Sequence, residues 1–203
     1  MRLNADIKKY LRKEVIHRRN NLSSKRRNSA QSLCSETLLE ESTLWCSQKG
    51  KLLSECIIAG YFPLGSELSA LHFFLSAQKQ GAHIVMPVMI KNVGMTFFYV
   101  TADELEKKNL PFFINPAKPL EKDHESLLGR DAVQSHEINI VIVPVVGFCN
   151  NNRLGYGGGN YDKFLSTINT ENQMVAGIAF YEQKIDNLPC ESHDITLPNI
   201  FTF

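Results

Sequence analysis

A glycine-rich segment near the C-terminal end of the chain has the residue types and the spacing to bind an anion. Four of the twelve glycines lie within five positions, at Gly155, Gly157, Gly158 and Gly159, shortly after a continuous apolar run. Glycines between a buried strand and a helix let backbone N–H groups turn toward one anion, and the start of the helix adds its positive dipole end. The segment therefore predicts a phosphate-binding loop.

Spacing excludes the two best-known loops of this kind. A Walker A loop needs Gly-Lys-Ser/Thr, which is absent, and the dinucleotide fingerprint needs a third glycine or alanine where Asn160 stands. Arg153 could stabilise phosphoryl charge, and Asp162 is an oxygen ligand suited to Mg²⁺. The alternative is a tight structural turn in which Asp162 only stabilises the start of a helix. The two flanking charges, and a location where nucleotides bind in α/β sheets, favour a functional loop.

Further motifs accompany this loop, in the order of one family pattern from about residue 8 to residue 202. They are Lys8-x-x-Leu11-Arg12, Glu67, PVVGF at 144–148, RLGYGGGNYDKFL at 153–165, GIAFYEQ at 177–183 and His193-Asp194. Together they resemble the 5-formyltetrahydrofolate cyclo-ligase family, also called the methenyltetrahydrofolate synthetases.

The resemblance implies an ATP-driven ring closure with ATP and Mg²⁺ as cofactors. The N5-formyl oxygen of 5-formyltetrahydrofolate is phosphorylated, N10 attacks the activated carbon, and phosphate leaves to give 5,10-methenyltetrahydrofolate. Because the formyl oxygen is a weak nucleophile, catalysis must come mainly from alignment and from neutralisation of γ-phosphate charge. No protein nucleophile is needed, which agrees with the absence of any Ser/His/Asp or Cys/His pattern in the sequence.

The family's functional positions can be carried onto this chain residue by residue. The resemblance implies catalytic roles for Arg153 and Tyr161 and magnesium ligands at Asp162 and Asp194. The implied folate contacts are Phe62, Glu67, Tyr156, Gly157, Gly158, Gly159 and Asn160. The implied ATP contacts are Lys8, Arg12, Arg153, Leu154, Gly155, Tyr156, Gly157, Gly158, Gly159, Asn160 and Tyr161. Taken alone, Phe62 reads as core, Glu67 as a solvated carboxylate, and Lys8 and Arg12 as surface charges.

Two positions of the loop depart from the family pattern. Members usually have Asp where Cys149 stands, and an aromatic residue where Asn160 stands. The first change removes a carboxylate that could stabilise a turn, and the second could alter folate stacking or loop packing. Since the phosphate-binding and metal-binding groups remain, these departures bear on substrate affinity more than on the class of reaction.

Apolar periodicity predicts helices in the N-terminal half and strands around the loop. We expect a helix over 5–21, with Ile7, Leu11 and Val15 as its docking stripe, and a second helix after Ser23 and Ser24. Further helices are expected around 71–78 and from 101, and a long loop over 111–137 with a turn of helix near 126–129. The predicted strands are 57–62, 83–89, 95–100, 138–146 and 174–180.

These elements predict a single α/β domain spanning residues 1–203. Two β-branched strands joined through a helix normally run parallel, and the strands at 83–100 are close enough for a hairpin. The expected architecture has three layers, with helices on both faces of a mostly parallel sheet, as in sugar-phosphate isomerases and CoA transferases.

Composition limits the cellular location and the class of enzyme that we expect. No apolar run approaches a membrane span and the N-terminus lacks the apolar stretch of a secretion signal, so we expect a cytoplasmic protein without membrane contact. The five cysteines are scattered and should be reduced, which leaves a zinc or thiol enzyme unsupported. We expect a monomer that acts on a small molecule.

The residues alone do not exclude two other classes of protein. A sugar-phosphate isomerase or CoA transferase would share the scaffold, but no motif supplies the base or the glutamate nucleophile that it needs. A nucleic-acid binding protein could use residues 1–27, which carry ten basic and two acidic residues. Tyr10 is the only aromatic residue there, so base stacking would be poorly served.

Overall fold

Two long helices open the chain. The computed structural model describes residues 2–191 and 194–203. Helix α1 spans Arg2–Asn20 and helix α2 spans Ser24–Gln48. The predicted break between them is confirmed, because the side chain of Ser23 accepts a hydrogen bond from the backbone N–H of Arg26 and caps α2. Every fourth residue from Ala30 to Cys46 in α2 is buried, which sets the face that packs on the body of the protein.

The strands are numbered along the chain, and β6 and β7 form a separate small sheet described below. The other strands of the described residues form a seven-stranded sheet in the order β4-β3-β2-β1-β5-β8-β9. Strands β2, β1, β5, β8 and β9 are parallel, while β3 and β4 are antiparallel at one edge. The mostly parallel sheet and the hairpin of β2 and β3 are therefore confirmed. The strands are β1 Ile57–Ala59, β2 His83–Ile90, β3 Gly94–Val100, β4 Ala132–Val133, β5 Ile140–Pro144, β8 Met174–Ala179 and β9 Asn199–Thr202.

Both faces of the sheet are covered. Helices α2, α3 (Leu71–Lys79), α4 (Ala102–Lys107) and α5 (Pro111–Ile114) contribute to the core on one face. Helix α6, Asn160–Leu165, contributes to the core on the other. In β1, neighbouring Ile58 and Ala59 are both fully buried and belong to these two different cores, as expected for a central strand covered on both faces.

Several predicted boundaries were wrong. Strand β1 ends at Ala59 and not at residue 62, although the N–H of Gly60 still donates to the carbonyl of Val85 in β2 at 2.9 Å. The segment 111–137 is more ordered than a loop, because Phe112 and Phe113 of α5 are buried and β4 joins the sheet. The helical turn expected near 126–129 is present at Glu125–Leu127. Strand β9 was not predicted.

A small hairpin separates β5 from the glycine loop. Strands β6, Gly147–Cys149, and β7, Asn152–Leu154, pair in antiparallel fashion outside the main sheet. The predicted elements included no strand between residue 146 and the glycines, so this hairpin was missed. The hairpin carries Arg153 on β7, so the loop begins from a paired strand that fixes its direction.

Helix α1 docks on this hairpin. Val15 is fully buried and packs with Leu154 and Ile185, and Leu11 is partly buried in the same cluster. The docking stripe is confirmed for Leu11 and Val15, whereas Ile7 is 37% exposed and lies outside it. None of the helices within the described ranges is long and apolar enough to cross a membrane.

Candidate active site

A cleft of about 530 Å³ opens at the carboxyl ends of β1 and β5. Strand β1 has β2 as its neighbour on one side and β5 on the other. The chain therefore adds strands in one direction after β1 and in the opposite direction after β5, and the change falls between β1 and β5. Such a switch point is the usual ligand site of an open α/β sheet. The cleft gathers every residue predicted for the site: Lys8, Arg12, Phe62, Glu67, Arg153, Leu154, Gly155, Tyr156, Gly157, Gly158, Gly159, Asn160, Tyr161, Asp162 and Asp194.

The glycine loop crosses this cleft between β7 and α6. Gly157 and Gly159 have φ angles of +103° and +66°, a region that other residues rarely adopt. A β-carbon at Gly157 would lie 3.2 Å from the guanidinium of Arg12, so glycine leaves room for this cation. Arg12 Nε donates to the carbonyl of Gly155 at 2.7 Å. The loop is thus held against α1 by an arginine.

Two ion pairs flank the loop. Arg153 Nη2 lies 2.9 Å from Asp162 Oδ1, and Lys8 Nζ lies 2.6 Å from Asp194 Oδ2 and 3.1 Å from Glu191 Oε2. Burial lowers the pKa of Lys8, but the two carboxylates outweigh it and raise that pKa above its usual value. Arg153 is 9% exposed, and its Nε has no hydrogen-bond partner among the described residues. Buried cations held in fixed directions are suited to receiving phosphate oxygens.

Asp162 and Asp194 do not form a metal site by themselves. Across the described residues, no group of three or more His, Cys, Asp and Glu side chains could hold a metal ion. Each of the two aspartates faces a cation instead. Mg²⁺ commonly takes one or two carboxylates together with substrate phosphates, so these residues fit a metal that arrives with a polyphosphate.

Glu67 lies in a second, less polar part of the cleft. It is 6% exposed, its Oε2 accepts from the backbone N–H of Leu64 at 2.7 Å, and its Oε1 is buried without a hydrogen-bond partner in the described chain. Burial raises the pKa of Glu67 to about 7, although the Leu64 N–H, the charge of Arg19 and the nearby Tyr156 hydroxyl oppose it. The reading of Glu67 as a solvated carboxylate is therefore wrong. A buried carboxyl with an open oxygen can bind a ligand N–H.

Aromatic rings complete this part of the cleft. Phe62 is half-buried and stacks on Phe113, with centroids 3.9 Å apart and planes at 17°. The hydroxyl of Tyr161 is buried without a partner among the described residues, and burial raises its pKa well above the usual value. Arg153 lies over the ring of Tyr161 at 5.8 Å. The open atoms of Glu67 and Tyr161 can accept or donate to a polar heterocycle.

Arg19 is a site residue that sequence reasoning missed. It is 1% exposed, and it donates to Ser66 Oγ and to the hydroxyl of Tyr156, each at 3.0 Å. It therefore ties α1 both to the loop that bears Glu67 and to the glycine loop. Its place was readable from spacing, because Lys8, Arg12 and Arg19 lie on one face of α1 with Val15.

Of the two residues that depart from the family pattern, only Asn160 lines the cleft, and Cys149 lies on the hairpin strand β6. Asn160 begins α6 and lines the cleft, while Cys149 Sγ contacts the carbonyl of Asp186 at 3.3 Å. Glu191, which pairs with Lys8, was also not predicted. His193, part of the motif that carried the resemblance, lies outside the described residues. All five cysteines are free thiols, as predicted, and three of them are buried.

The fold and the cleft define an α/β protein with a glycine loop and buried cations at the switch point of its sheet. Comparison with known proteins narrows this class. The model of the 5-formyltetrahydrofolate cyclo-ligase family matches residues 4–203, and the chain belongs to that family.

Characterised relatives and solved structures are similar to this chain. A 5-formyltetrahydrofolate cyclo-ligase of Haemophilus influenzae is 28% identical over 146 residues, covering 70% of this chain and 73% of the relative. One of Escherichia coli K12 is 36% identical over 83 residues, covering 40% and 46%.

Two solved methenyltetrahydrofolate synthetases share the fold. That of Mycoplasma pneumoniae has a TM-score of 0.70 at 24% identity, with 95% of this chain and 96% of the other covered. That of Aquifex aeolicus has a TM-score of 0.63 at 22% identity, with 97% and 89% covered.

Proposed function

We propose that the protein closes 5-formyltetrahydrofolate to 5,10-methenyltetrahydrofolate, with conversion of ATP to ADP and phosphate. The strongest support is that one cleft contains two chemically different halves. One half has the glycine loop, Arg12 and Arg153, which suit a polyphosphate, and the other has Phe62 and Glu67, which suit a flat heterocycle with N–H groups. A reaction that transfers phosphate to a folate needs both halves side by side.

The cationic half aligns the triphosphate and neutralises charge. Backbone N–H groups of residues 155–159, with Arg12 and Lys8, hold the phosphates, and Arg153 faces the group being transferred. Because Arg153 is already fixed by Asp162, little reorganisation is needed when charge moves onto the γ-phosphate oxygens. Bound Mg²⁺, with Asp162 and Asp194 as ligands, would neutralise further phosphate charge.

The other half orients the folate. Glu67 accepts an N–H of the pterin edge, Phe62 packs on the ring, and Tyr161 places its hydroxyl beside the transferring group. The formyl oxygen then attacks the γ-phosphorus as its bond to ADP breaks. N10 attacks the formyl carbon and loses its proton, and the carbon–oxygen bond breaks to release phosphate. The ring of Phe62 is held in place by its stacking on Phe113, so it offers a fixed apolar surface to the pterin.

The basic N-terminal segment supports this small-molecule role over nucleic-acid binding. Much of its charge is already engaged inside the protein, since Arg26 pairs with Glu182 and Arg27 donates to the carbonyl of Ser66. We also propose that the protein acts in the cytoplasm as a monomer.

One assay tests the proposed function. Purified protein mixed with 5-formyltetrahydrofolate, ATP and Mg²⁺ should show the rising ultraviolet absorbance of the methenyl bridge, with ADP released in equal amount. Omission of ATP or addition of a chelator should abolish the rise. No product under saturating substrates would refute the proposal.

A further inference from the structure

A buried arginine lies behind the cleft and joins two of its loops. Arg19, in the last turn of α1, is 1% exposed. Its Nε donates to Ser66 Oγ at 3.0 Å, and its Nη2 donates to the hydroxyl of Tyr156 at 3.0 Å. Ser66 directly precedes Glu67, and Tyr156 belongs to the glycine loop. One guanidinium therefore connects the segment that bears Glu67 to the loop of the cationic half.

A second contact closes this bridge. The Tyr156 hydroxyl donates to the carbonyl of Leu64 at 3.4 Å, and the N–H of Leu64 is the group from which Glu67 Oε2 accepts at 2.7 Å. Tyr156 and Leu64 are 92 positions apart in the chain, so their arrangement depends on contacts across the cleft. A displacement of Tyr156 therefore acts on the backbone that holds the Glu67 carboxyl.

The neighbours of Arg19 hold this bridge from α2 as well. Arg27 donates through Nη1 to the carbonyl of Ser66 at 2.9 Å and through Nη2 to the carbonyl of Arg19. The hydroxyl of Ser66 donates in turn to the side chain of Asn20. Ser66 is thus held through both its side chain and its backbone. A side chain with several fixed partners is suited to positioning other groups.

The charge of Arg19 also acts on Glu67. Burial raises the pKa of Glu67, whereas a backbone N–H, the charge of Arg19 and the hydroxyl of Tyr156 lower it. Two buried tyrosines, Tyr61 and Tyr161, also face Glu67, but burial raises the pKa of each and keeps their hydroxyls neutral near pH 7. Arg19 is therefore the cation that favours the ionised form of this carboxyl.

A packing role does not explain a charge at this position. Arg19 Nη1 and Glu67 Oε1 are both buried without a hydrogen-bond partner among the described residues. A buried charge with open donors is costly, and an apolar side chain of similar volume would fill the space at lower cost. Tyr156 and Glu67 line the cleft, and Arg19 lies behind them. Arg19 therefore acts through these two residues.

We propose that Arg19 is a positioning residue for the reaction, which holds Tyr156 of the glycine loop and the Glu67 segment in one arrangement. The phosphate bound by one loop then meets the folate bound by the other. This inference rests on the proposed function. A misplacement of about 1 Å can lower the rate of such a reaction about a hundredfold. The charge of Arg19 also favours the carboxylate of Glu67, which accepts an N–H more strongly than a neutral carboxyl does.

Two variants of the arginine separate alignment from charge. Arg19→Lys keeps the positive charge but loses the planar group that reaches Ser66 and Tyr156 together, and Arg19→Gln loses both. For each variant, kcat is measured at saturating Mg·ATP and folate, and the dissociation constant of 5-formyltetrahydrofolate is measured by calorimetry from pH 6 to pH 8.5. Arg18→Gln is the matched control, since Arg18 is exposed beside Arg19 and donates to the carbonyl of Lys184.

We expect both Arg19 variants to lower kcat roughly tenfold or more, while Arg18→Gln keeps the wild-type value. In wild type, folate binding should weaken as pH falls through the pKa of Glu67, about 7. Arg19→Gln should move this midpoint to higher pH, because it removes a charge that lowers that pKa. Arg19→Lys should leave the midpoint near the wild-type value. A packing defect alone would not separate the two variants in this way.

A double-mutant cycle with Tyr156→Phe tests the route of the effect. Because Arg19 acts through the Tyr156 hydroxyl, the double variant Arg19→Lys with Tyr156→Phe should lower kcat little further than the stronger single variant. Fully additive losses would overturn the positioning role, as would wild-type kcat in both Arg19 variants or an unmoved midpoint in Arg19→Gln. Should Arg19→Gln fail to fold in urea titrations, Arg19→Lys and the cycle decide. Failure of the wild type to form product refutes the proposed function instead, and the binding midpoints still decide whether Arg19 acts on Glu67.

Discussion

At the scale of single residues, the charges of the cleft are set by burial and by close partners. Arg153 and Lys8 have carboxylates within 3.1 Å, whereas Glu67 has no cation in direct contact and is shielded from water. The carboxylates favour the charged form of Lys8, whereas burial raises the pKa of Glu67 to about 7 and brings its ionisation close to neutral pH.

Glu67 should make the protein less stable as pH rises. Its pKa is about 7 in the folded protein against 4.5 when exposed, so between these values the native state keeps a proton that the unfolded state has lost. The free energy of unfolding therefore falls through this window, by up to ~3 kcal/mol, and levels off above pH 7. Glu67→Gln, which cannot ionise, should remove most of that fall. Urea unfolding at pH 5 and pH 8 measures it.

The control for this prediction is Glu106→Gln, at an exposed position of α4. It should unfold with the pH dependence of wild type. If Glu67→Gln also keeps that dependence, then Glu67 is ionised in the folded protein at pH 5 and our view of its surroundings is wrong.

Arg153 should be needed for its shape as well as its charge. Arg153→Lys keeps the charge but loses the planar fork, so kcat should fall roughly tenfold or more. Gly155→Ala tests the same point without a change of charge, because a β-carbon there would lie 2.6 Å from Arg153 Nη1 and would displace it. Steady-state kinetics should show a fall in kcat for both variants. A rise in folate KM alone would move Arg153 from phosphoryl transfer to substrate binding.

At the scale of elements, α1 is part of the site and not a detachable basic arm. Val15 and Leu11 anchor it on the hairpin, and its inward face carries Lys8, Arg12 and Arg19 to the cleft. The same helix thus supplies both an apolar contact and the cations of the site.

Loss of a single inward charge from α1 should weaken ATP binding. Arg12→Ala removes the guanidinium that lies against Gly155 and Gly157, so ATP KM should rise about tenfold, with a larger effect at low salt. Lys9→Ala is the matched control, since Lys9 is exposed on the same helix. Removal of residues 1–20 should abolish activity. An active, folded truncation would show that the helix is dispensable.

At the scale of the whole molecule, the cleft is assembled from distant parts of the chain. Lys8 meets Asp194 across 186 positions, and Arg26 donates to the terminal Phe203 across 177. The first contact lies in the cleft, and the second joins α2 to the residue that follows the edge strand β9. Geometry at the cleft therefore depends on contacts between segments far apart in the chain.

The sequence by itself determined the class of fold and most of the local chemistry. Continuous β-branched runs indicate buried strands, and glycine clusters indicate unusual backbone angles. The parallel sheet and the loop at 155–159 were therefore predicted from local patterns. The motif order also indicated the family.

Only the tertiary structure decided which charges meet and which are buried. The pairing of Lys8 with Asp194 and the desolvation of Glu67 both depend on contacts between segments far apart in sequence. Residue spacing within one segment carries no information on such contacts. The two strands of the hairpin before the loop and the edge strand β9 were missed for a related reason. Each of these strands is only three or four residues long, and it is stabilised by pairing with its partner strand more than by its own sequence pattern.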